Sequence, residues 1–192
     1  MNFNIAIVGA TGNVGREMLN ILSEKKYDAS KIFPVASSRS EGMEIEFGED
    51  KLIVESIEKF DPSKVELALF SAGASTSKEW APKFAEKNCI VIDNSSHFRM
   101  EEDIPLVVPE VNPSDLNKYK KRNIIANPNC STIQLVVALK PLHEISKIKK
   151  VIVSTYQSVS GAGKAGMDEL IEQTKNMFYD EIKDNVKFTK PI

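Results

Sequence analysis

Cysteine, histidine and tryptophan are scarce in this chain of 192 residues, which has two cysteines, two histidines and one tryptophan. Two cysteines cannot form a disulfide framework in a chain of this size, so a reducing, cytoplasmic compartment is expected. The histidines and cysteines do not cluster, and no metal site is expected. With 42% hydrophobic and 27% charged residues, the composition is typical of a soluble globular protein.

A strong net charge and long apolar runs are also missing. Lysine and arginine total 25 against 27 aspartates and glutamates, so the formal net charge is −2. This balance lacks the positive field that attracts nucleic acid or an anionic membrane, and neither is an expected partner. No apolar run approaches the ~18 residues that span a bilayer. Residues 1–4 lack the basic and apolar regions of a secretory signal.

Short apolar runs alternate with amphipathic segments along the chain. Buried strands are predicted at 4–8, 31–36, 65–70, 89–92 and 123–126. Helices are predicted at 14–25, 75–87 and 131–142, and a hairpin turn at 48–51. This order predicts an α/β protein with a Rossmann-type, doubly wound parallel sheet and helices on both faces. Ligands of such sheets bind at the carboxyl ends of the strands, so the loops there are the candidate sites.

The order of the predicted elements changes after residue 127, and this change predicts two domains. Residues 1–127 are expected to form a nucleotide-binding domain, and residues 128–192 the incomplete start of an α+β catalytic and dimerisation domain. A long strand over 149–158, a glycine-rich turn at 160–163 and a helix over 164–184 are expected in the second domain.

The first candidate site is the loop with Gly9, Gly12 and Gly15, which follows a predicted strand and opens a predicted helix. Glycine permits a tight turn and close approach to a pyrophosphate, and the helix N-terminus offers N–H groups and a positive dipole end. The spacing is G-x-x-G-x-x-G rather than the commoner G-x-G-x-x-G. This context predicts a dinucleotide site, and a glycine turn without a ligand is the alternative.

The end of the second predicted strand carries Ser37, Ser38 and Arg39, and the first acid after it is Glu41. An NAD-specific site places an acid near this point to bind the ribose 2′-hydroxyl. Hydroxyls and a guanidinium suit a 2′-phosphate instead, because arginine binds phosphate through two parallel hydrogen bonds. NADP is therefore predicted in preference to NAD, and an exposed polar turn is the alternative.

Cys130 lies at the start of a predicted helix, whose dipole would stabilise a thiolate. A thiolate attacks carbonyl carbons and leaves a thioester after hydride loss. Asn129 and the first N–H groups of the helix would hold the developing oxyanion. Cys89 lies in an apolar strand and is expected to be a small buried residue.

The segment 93–99 is rich in hydrogen-bond donors, and Arg99 in it suits phosphate or carboxylate. A turn held by its own hydrogen bonds is the alternative. His97 is expected to be a loop residue. His143 is expected in the last turn of a helix, where a cation complements the dipole.

Together these loops resemble the aspartate-β-semialdehyde dehydrogenase family. The matching segments are 9–15, 37–39, 71–73, 93–99, 109–112, 127–132 and 156–163. The resemblance implies reduction of L-aspartyl-4-phosphate by NADPH to aspartate semialdehyde and phosphate, on the route to lysine, methionine and threonine.

The resemblance also implies roles for particular residues. Cys130 would be the nucleophile that forms the thioester, and Gln157 would help to orient the substrate. The phosphate would be bound by Asn94, Ser96 and Arg99. The NADP site would be lined by Gly9, Thr11, Gly12, Asn13, Val14, Ser37, Ser38, Arg39, Ser71, Ala72, Gly73, Ser160, Gly161 and Gly163.

Members of this family are longer than 192 residues, and their acid/base histidine and carboxylate-binding arginine lie in the later half. Neither residue is assigned in this chain, which is therefore expected to be an N-terminal portion and inactive by itself. The resemblance implies a homodimer or homotetramer for the full-length protein.

Three alternatives stay open. N-acetyl-γ-glutamyl-phosphate reductase has the same architecture and chemistry, but its cysteine segment usually reads G-C-Y-P-T, whereas Cys130 is followed here by Ser131 and Thr132. An acyl-CoA reductase relative would use the same hydride and thioester chemistry. A non-catalytic nucleotide-binding module is the alternative from a different functional class.

Overall fold

Eight short strands and four α-helices are present in the computed structural model, which describes residues 3–179. The strands are β1 (Ile5–Val8), β2 (Ile32–Ala36), β3 (Glu44–Phe47), β4 (Asp50–Ile53), β5 (Glu55–Ser56), β6 (Leu67–Phe70), β7 (Ile90–Asp93) and β8 (Ile124–Ala126). The helices are α1 (Asn13–Glu24), α2 (Ala74–Ala85), α3 (Cys130–Ile145) and α4 (Lys164–Tyr179). The chain divides into two compact units, Met1–Val151 and Ile152–Ile192.

Six of the strands form one parallel sheet in the order β5-β2-β1-β6-β7-β8. From β1 the chain builds outward to β2 and β5 on one side, and then to β6, β7 and β8 on the other. The helices α1 and α2 follow β1 and β6 and return the chain to the start of the next strand. The predicted doubly wound parallel sheet is thus confirmed, and its strand order reverses between β1 and β6. The predicted hairpin is the antiparallel pair β3 and β4.

Alternate residues of β1 enter different cores, which places helices on both faces of the sheet. Ile5 and Ile7 pack in the core that contains Leu19 of α1. Ala6 and Val8 pack in the core that contains Phe84 of α2. Because both faces are covered by helices, all four β1 residues are buried, and this explains the unbroken apolar run in the sequence.

The turn from β1 into α1 requires glycine at its two ends. Gly9 has φ +92°, and a Cβ there would lie 2.9 Å from the backbone nitrogen of Ala72. A Cβ on Gly15 would lie 2.2 Å from the carbonyl oxygen of Gly9. The small residues therefore allow the first turn of α1 to pack directly on the loop that follows β1.

Several predicted bounds differ from the structure. The strand expected over 149–158 is wrong, since no strand is assigned there and the side chains of 151–158 are exposed. A strand requires a neighbour for its backbone hydrogen bonds, and no strand of the described residues pairs with this segment. Helix α3 is longer at both ends than the predicted 131–142. The predicted helix over 164–184 is confirmed as far as Tyr179, and residues 180–184 lie outside the described residues.

Strand β5 was not predicted, because its two residues are too few for a periodic signal. Among residues 3–179, no helix combines the length and apolar character needed to cross a membrane.

The close packing of α1 predicts that Gly15→Ala destabilises the protein by about 1–3 kcal/mol, because the added methyl group meets backbone atoms that cannot rotate away. Gly12→Ala is the matched control, since its Cβ would lie 3.4 Å from the same Gly9 oxygen, an ordinary contact distance. We expect this control to cost less than about 1 kcal/mol. Urea denaturation of the three proteins measures the difference, and equal stabilities of the two variants would contradict the packing argument.

Candidate active site

A cleft of about 460 Å³ lies at the carboxyl ends of β1, β2 and β6, where the strand order reverses. Ligands of open α/β sheets bind at this position. The cleft brings together seven of the residues predicted for the cofactor: Gly9, Thr11, Gly12, Ser37, Arg39, Ser71 and Ala72. The glycine loop, the end of the second strand and the segment 71–72 thus meet in one place, although up to 63 residues separate them in the chain.

The glycine loop is fixed across the sheet by its backbone. The amides of Gly9 and Ala10 both donate to the carbonyl oxygen of Val35, at 2.8 and 3.2 Å. Gly12 is the N-cap of α1, and no side chain caps the helix. A helix whose first-turn amides are not capped by its own side chain, and whose first turn holds no acid, presents a positive end to an anion.

Four further residues predicted for the cofactor are not part of the cleft lining. Asn13 and Val14 are exposed in the first turn of α1, and Gly73 is the N-cap of α2 with φ +89°. Ser38 begins the 3₁₀ turn Ser38–Ser40 that follows β2. The contribution of these four residues to cofactor binding stays a prediction.

The structure adds cleft residues that the sequence analysis missed, chiefly Glu58, Thr76, Glu79 and Trp80. The last three lie on one side of α2, which forms a wall of the cleft. Trp80 is half-buried, and the Lys83 ammonium lies 3.7 Å from the centre of its ring.

Glu58 lines the cleft from the segment that follows β5, the strand beside β2. The Ser56 hydroxyl donates a hydrogen bond to the Glu58 carboxylate. This bond is the main reason why the pKa of Glu58 lies below its ordinary value. Smaller contributions come from its own backbone amide, from Lys59 and, least of all, from the Ser38 backbone amide. The only sequence signal for this residue would have been the pairing of β5 with β2, which a two-residue strand does not reveal.

A buried carboxylate organises the loop after β7. Asp93 is fully buried and accepts hydrogen bonds from the Ser77 hydroxyl (2.7 Å), the Ser95 hydroxyl (2.7 Å) and the Ser95 amide (3.0 Å). Both carboxylate oxygens therefore have donors, which offsets the cost of burying a polar group. Through Ser77, this carboxylate also joins the loop to α2.

The next residues connect this loop to the segment that precedes Cys130. The Asn127 side-chain amide donates to Oδ1 of Asn94 at 2.7 Å. Arg99 donates from Nε to the Asn127 carbonyl at 2.9 Å and from Nη2 to the Asn94 carbonyl at 3.1 Å. The structure thus brings Asn94 and Arg99 together, whereas Ser96 lies exposed on the same loop. A guanidinium has five N–H donors, and these two bonds use two of them.

Cys130 is the first residue of α3 and is exposed. Asn129 precedes it as the N-cap, and its Oδ1 accepts a hydrogen bond from the Thr132 amide at 2.8 Å. Cys89 is fully buried, and this burial, aided by Glu66, raises the pKa of its thiol to about 12. The two cysteines thus differ as predicted in accessibility. The catalytic roles of Cys130 and Asn129 stay predictions.

The predicted residues after 151 lie in the second compact unit. Gln157 is exposed and its side-chain nitrogen lies against Gly161, where an added Cβ would be only 2.6 Å away. Ser160 belongs to the 3₁₀ turn Val159–Ala162, and Gly163 follows it with φ +80°. Their roles also stay predictions.

Neither histidine occupies a catalytic arrangement with Cys130 in the described contacts. The ring of His97 packs edge-on against Phe98, with ring centres 4.6 Å apart. His143 lies in the last turn of α3, where its Nδ1 accepts a hydrogen bond from the Ile148 amide at 3.2 Å. Both positions agree with the sequence analysis.

Comparison with known proteins gives two domain matches. Residues 4–119 match the NAD-binding domain of the semialdehyde dehydrogenases, and residues 139–192 match the dimerisation domain of the same family.

Curated relatives align with nearly the whole chain. The aspartate-semialdehyde dehydrogenase of Rickettsia conorii is 53% identical over 190 residues, which are 99% of this chain and 56% of that relative. The aspartate-semialdehyde dehydrogenase 2 of Vibrio cholerae is 55% identical over the same shares of the two chains. The chain thus spans little more than half the length of these relatives.

Solved structures give the same result. Aspartate semialdehyde dehydrogenase II from Vibrio cholerae, complexed with ASA, superposes with a TM-score of 0.92 at 50% identity, covering 100% of this chain and 57% of the other. Aspartate semialdehyde dehydrogenase with NADP from Candida albicans superposes with a TM-score of 0.65 at 27% identity, covering 77% of this chain and 48% of the other.

The contrast between the two thiols predicts a single fast-reacting cysteine at pH 8. Burial favours the neutral form of Cys89, so with a pKa of about 12 roughly one Cys89 thiol in ten thousand is ionised at pH 8. The reactivity of Cys89 should therefore emerge only as the pH rises toward 12. Alkylation by iodoacetamide, followed by mass spectrometry, should label Cys130 first. The fast phase should disappear in Cys130→Ser and persist in Cys89→Ala, and equal rates for both thiols at pH 8 would contradict this reading.

Proposed function

The chain belongs to the semialdehyde dehydrogenase family, and from that membership we propose that it supplies the nucleotide-binding and thiol-bearing part of an NADPH-dependent aspartate-semialdehyde dehydrogenase. The reaction is the reductive dephosphorylation of L-aspartyl-4-phosphate to L-aspartate-4-semialdehyde. The product would serve the synthesis of lysine, methionine and threonine. The observation that carries this proposal is the exposed Cys130 at the N-terminus of α3, three residues after Asn127, which is hydrogen-bonded to Asn94 and Arg99.

Cys130 would begin the reaction as a nucleophile. Its thiolate attacks the acyl carbon of the substrate, the carbon–oxygen bond to phosphate breaks, and inorganic phosphate leaves with the bonding electrons. The product on the enzyme is a thioester of Cys130. NADPH, when bound, supplies the hydride that reduces this thioester to the aldehyde and returns the cysteine as a thiolate. Asn129 and the first-turn amides of α3 would stabilise the negative oxygen that forms on attack.

The phosphate of the substrate would be bound by Arg99, Asn94 and Ser96. The two bonds from Arg99 to backbone carbonyls hold the guanidinium in place before a substrate arrives. Its remaining N–H groups would then meet the phosphate without the entropy cost of ordering a free side chain. Gln157 would orient the substrate.

The cleft at the ends of β1, β2 and β6 fits a dinucleotide. Its glycine turn would receive the pyrophosphate at the N-terminus of α1, which no side chain caps. Arg39 and Ser37 line the cleft near the end of β2, which supports a 2′-phosphate and hence NADP. The remaining groups proposed for the cofactor are Asn13, Val14, Ser38 and Gly73, and the turn with Ser160, Gly161 and Gly163.

The domain boundary, the oligomeric state and the cellular location of the protein are also proposals. We place the boundary after residue 127, where β8 ends and the segment leading to α3 begins. The match of residues 139–192 to a dimerisation domain supports a homodimer or homotetramer. A cytoplasmic location, without nucleic-acid or membrane partners, agrees with the charge balance and the scarcity of cysteine.

We expect phosphate-dependent reduction of NADP⁺ by aspartate semialdehyde in the protein encoded by the complete reading frame, and no activity in the 192-residue chain alone. Cys130→Ser in the longer protein should lower kcat by at least about 10³-fold, because no other described group replaces the thiolate. Cys89→Ala is the control and should keep most of the activity. A folded longer protein that binds NADP⁺ but lacks the activity would overturn the substrate assignment in favour of a related reductase or a binding module.

We expect Arg39→Gln to weaken NADP⁺ binding by about 10-fold and to change NAD⁺ binding far less, because the guanidinium would pair with the 2′-phosphate. Trp80 is the single tryptophan and lines the cleft, so quenching of its fluorescence reports binding. Arg16→Gln is the control, since this exposed arginine bonds to the Thr11 carbonyl rather than lining the cleft. Equal losses for NADP⁺ and NAD⁺ in Arg39→Gln would contradict the assignment of the 2′-phosphate.

A further inference from the structure

The tertiary structure brings an acidic residue, Glu58, to the cleft at the end of β2, although the sequence has no acid directly after that strand. The end of β2 carries serines and Arg39, and this pattern predicts selectivity for a 2′-phosphate. In the sheet, however, β5 lies parallel to β2, with Val35 paired to Glu55 and Ala36 paired to Ser56. The residues that follow the two strands therefore emerge side by side, and Glu58 and Arg39 line the same cleft.

The Glu58 carboxylate is held by its neighbours. The Ser56 hydroxyl that donates to it belongs to a residue that is only 1% exposed. The Ser38 backbone amide, in the turn after the neighbouring strand β2, makes the smallest of the contributions that lower the pKa of Glu58. This amide lies in the turn that is proposed to receive the 2′-phosphate, so carboxylate and phosphate would seek the same donor.

The other charges near this point do not cancel that of Glu58. Lys59, the next residue, forms an ion pair with Glu41 at 2.8 Å. Glu79 on the opposite wall pairs with Lys83 at 3.1 Å. Arg39 is thus the cation that shares the cleft lining with Glu58. A doubly charged 2′-phosphate near Arg39 would meet repulsion from Glu58, whereas a ribose hydroxyl would find an acceptor.

We propose that Glu58 is a specificity-determining residue that narrows the preference for NADP over NAD. Its carboxylate accepts a hydrogen bond from the ribose 2′-hydroxyl of NAD, and it competes with the 2′-phosphate of NADP for the Ser38 amide. The chain therefore binds both dinucleotides. Its preference for NADP is smaller than Arg39 would produce in the absence of the Glu58 carboxylate. This inference rests on the proposed dinucleotide site and adds the residue that sets its selectivity.

Glu58→Gln tests the proposal in the 192-residue chain and in the longer protein. The substitution keeps the shape of the side chain and removes its charge, and Glu58 is exposed, so folding should be preserved. Dissociation constants for NADP⁺, NAD⁺, 2′,5′-ADP and 5′-AMP are measured by quenching of Trp80 fluorescence. We expect tighter binding of the two 2′-phosphorylated probes and unchanged or weaker binding of the other two. The NADP⁺:NAD⁺ affinity ratio should rise about 5-fold, the scale of one exposed charge interaction.

Glu79→Gln is the matched control, because it removes the same charge from the same cleft but from α2. We expect it to leave the affinity ratio unchanged. If Glu79→Gln raises the NADP⁺:NAD⁺ affinity ratio equally, the effect comes from the overall charge of the cleft, and the proposal is overturned. If the original chain prefers NADP⁺ and Glu58→Gln leaves the ratio unchanged, the proposal fails while the dinucleotide site stands. If the original chain binds none of the four probes, the dinucleotide site and the proposal both fail.

Discussion

The parallel pairing of β1 with β2 on one side and β6 on the other is the constraint on which the described fold depends. All four residues of β1 are buried, and their side chains alternate between the cores beneath α1 and α2. Because the three strands run parallel, their carboxyl ends meet at one edge of the sheet and leave a cleft there. The loop hydrogen bonds from Gly9 and Ala10 to Val35 continue this pairing beyond the strands and hold the glycine turn in place.

A second interaction, the buried carboxylate of Asp93, connects the cleft to the thiol. Its partner Ser77 lies on α2, the helix that carries Trp80 into the cleft. Its other partner, Ser95, lies in the loop after β7, and Asn94 and Arg99 of this loop bond to Asn127, three residues before Cys130. Those parts of the proposed cofactor and substrate sites that lie in the first compact unit are therefore joined by hydrogen bonds between side chains and backbone. In the proposed reaction the hydride and the thioester must meet, and this connection would hold the proposed cofactor and substrate groups in a fixed relative position.

Much of the fold and part of the site could be predicted from local sequence. The glycine loop was recognisable because glycine at positions 9 and 15 is demanded by a positive φ and a close backbone contact. The two cysteines were separable by their neighbours, since Cys89 lies among apolar residues and Cys130 among polar ones. The strand expected over 149–158 was wrong because an apolar run becomes a strand only when another strand pairs with it. Glu58 was missed because its position depends on β5, which is too short to show a pattern.

The sequence by itself determined which chemical groups the protein has and which local structures carry them: a glycine turn before a helix, a guanidinium after a strand, and a cysteine at a helix N-terminus. These features depend on neighbouring residues, and neighbouring residues are visible in the sequence. Only the tertiary structure decided which groups share a site. The register of β2 with β5 placed Glu58 in the same cleft as Arg39, and the buried Asp93 tied the loop of Arg99 to α2. Such contacts arise from strand order and burial, which residues distant in the chain establish together.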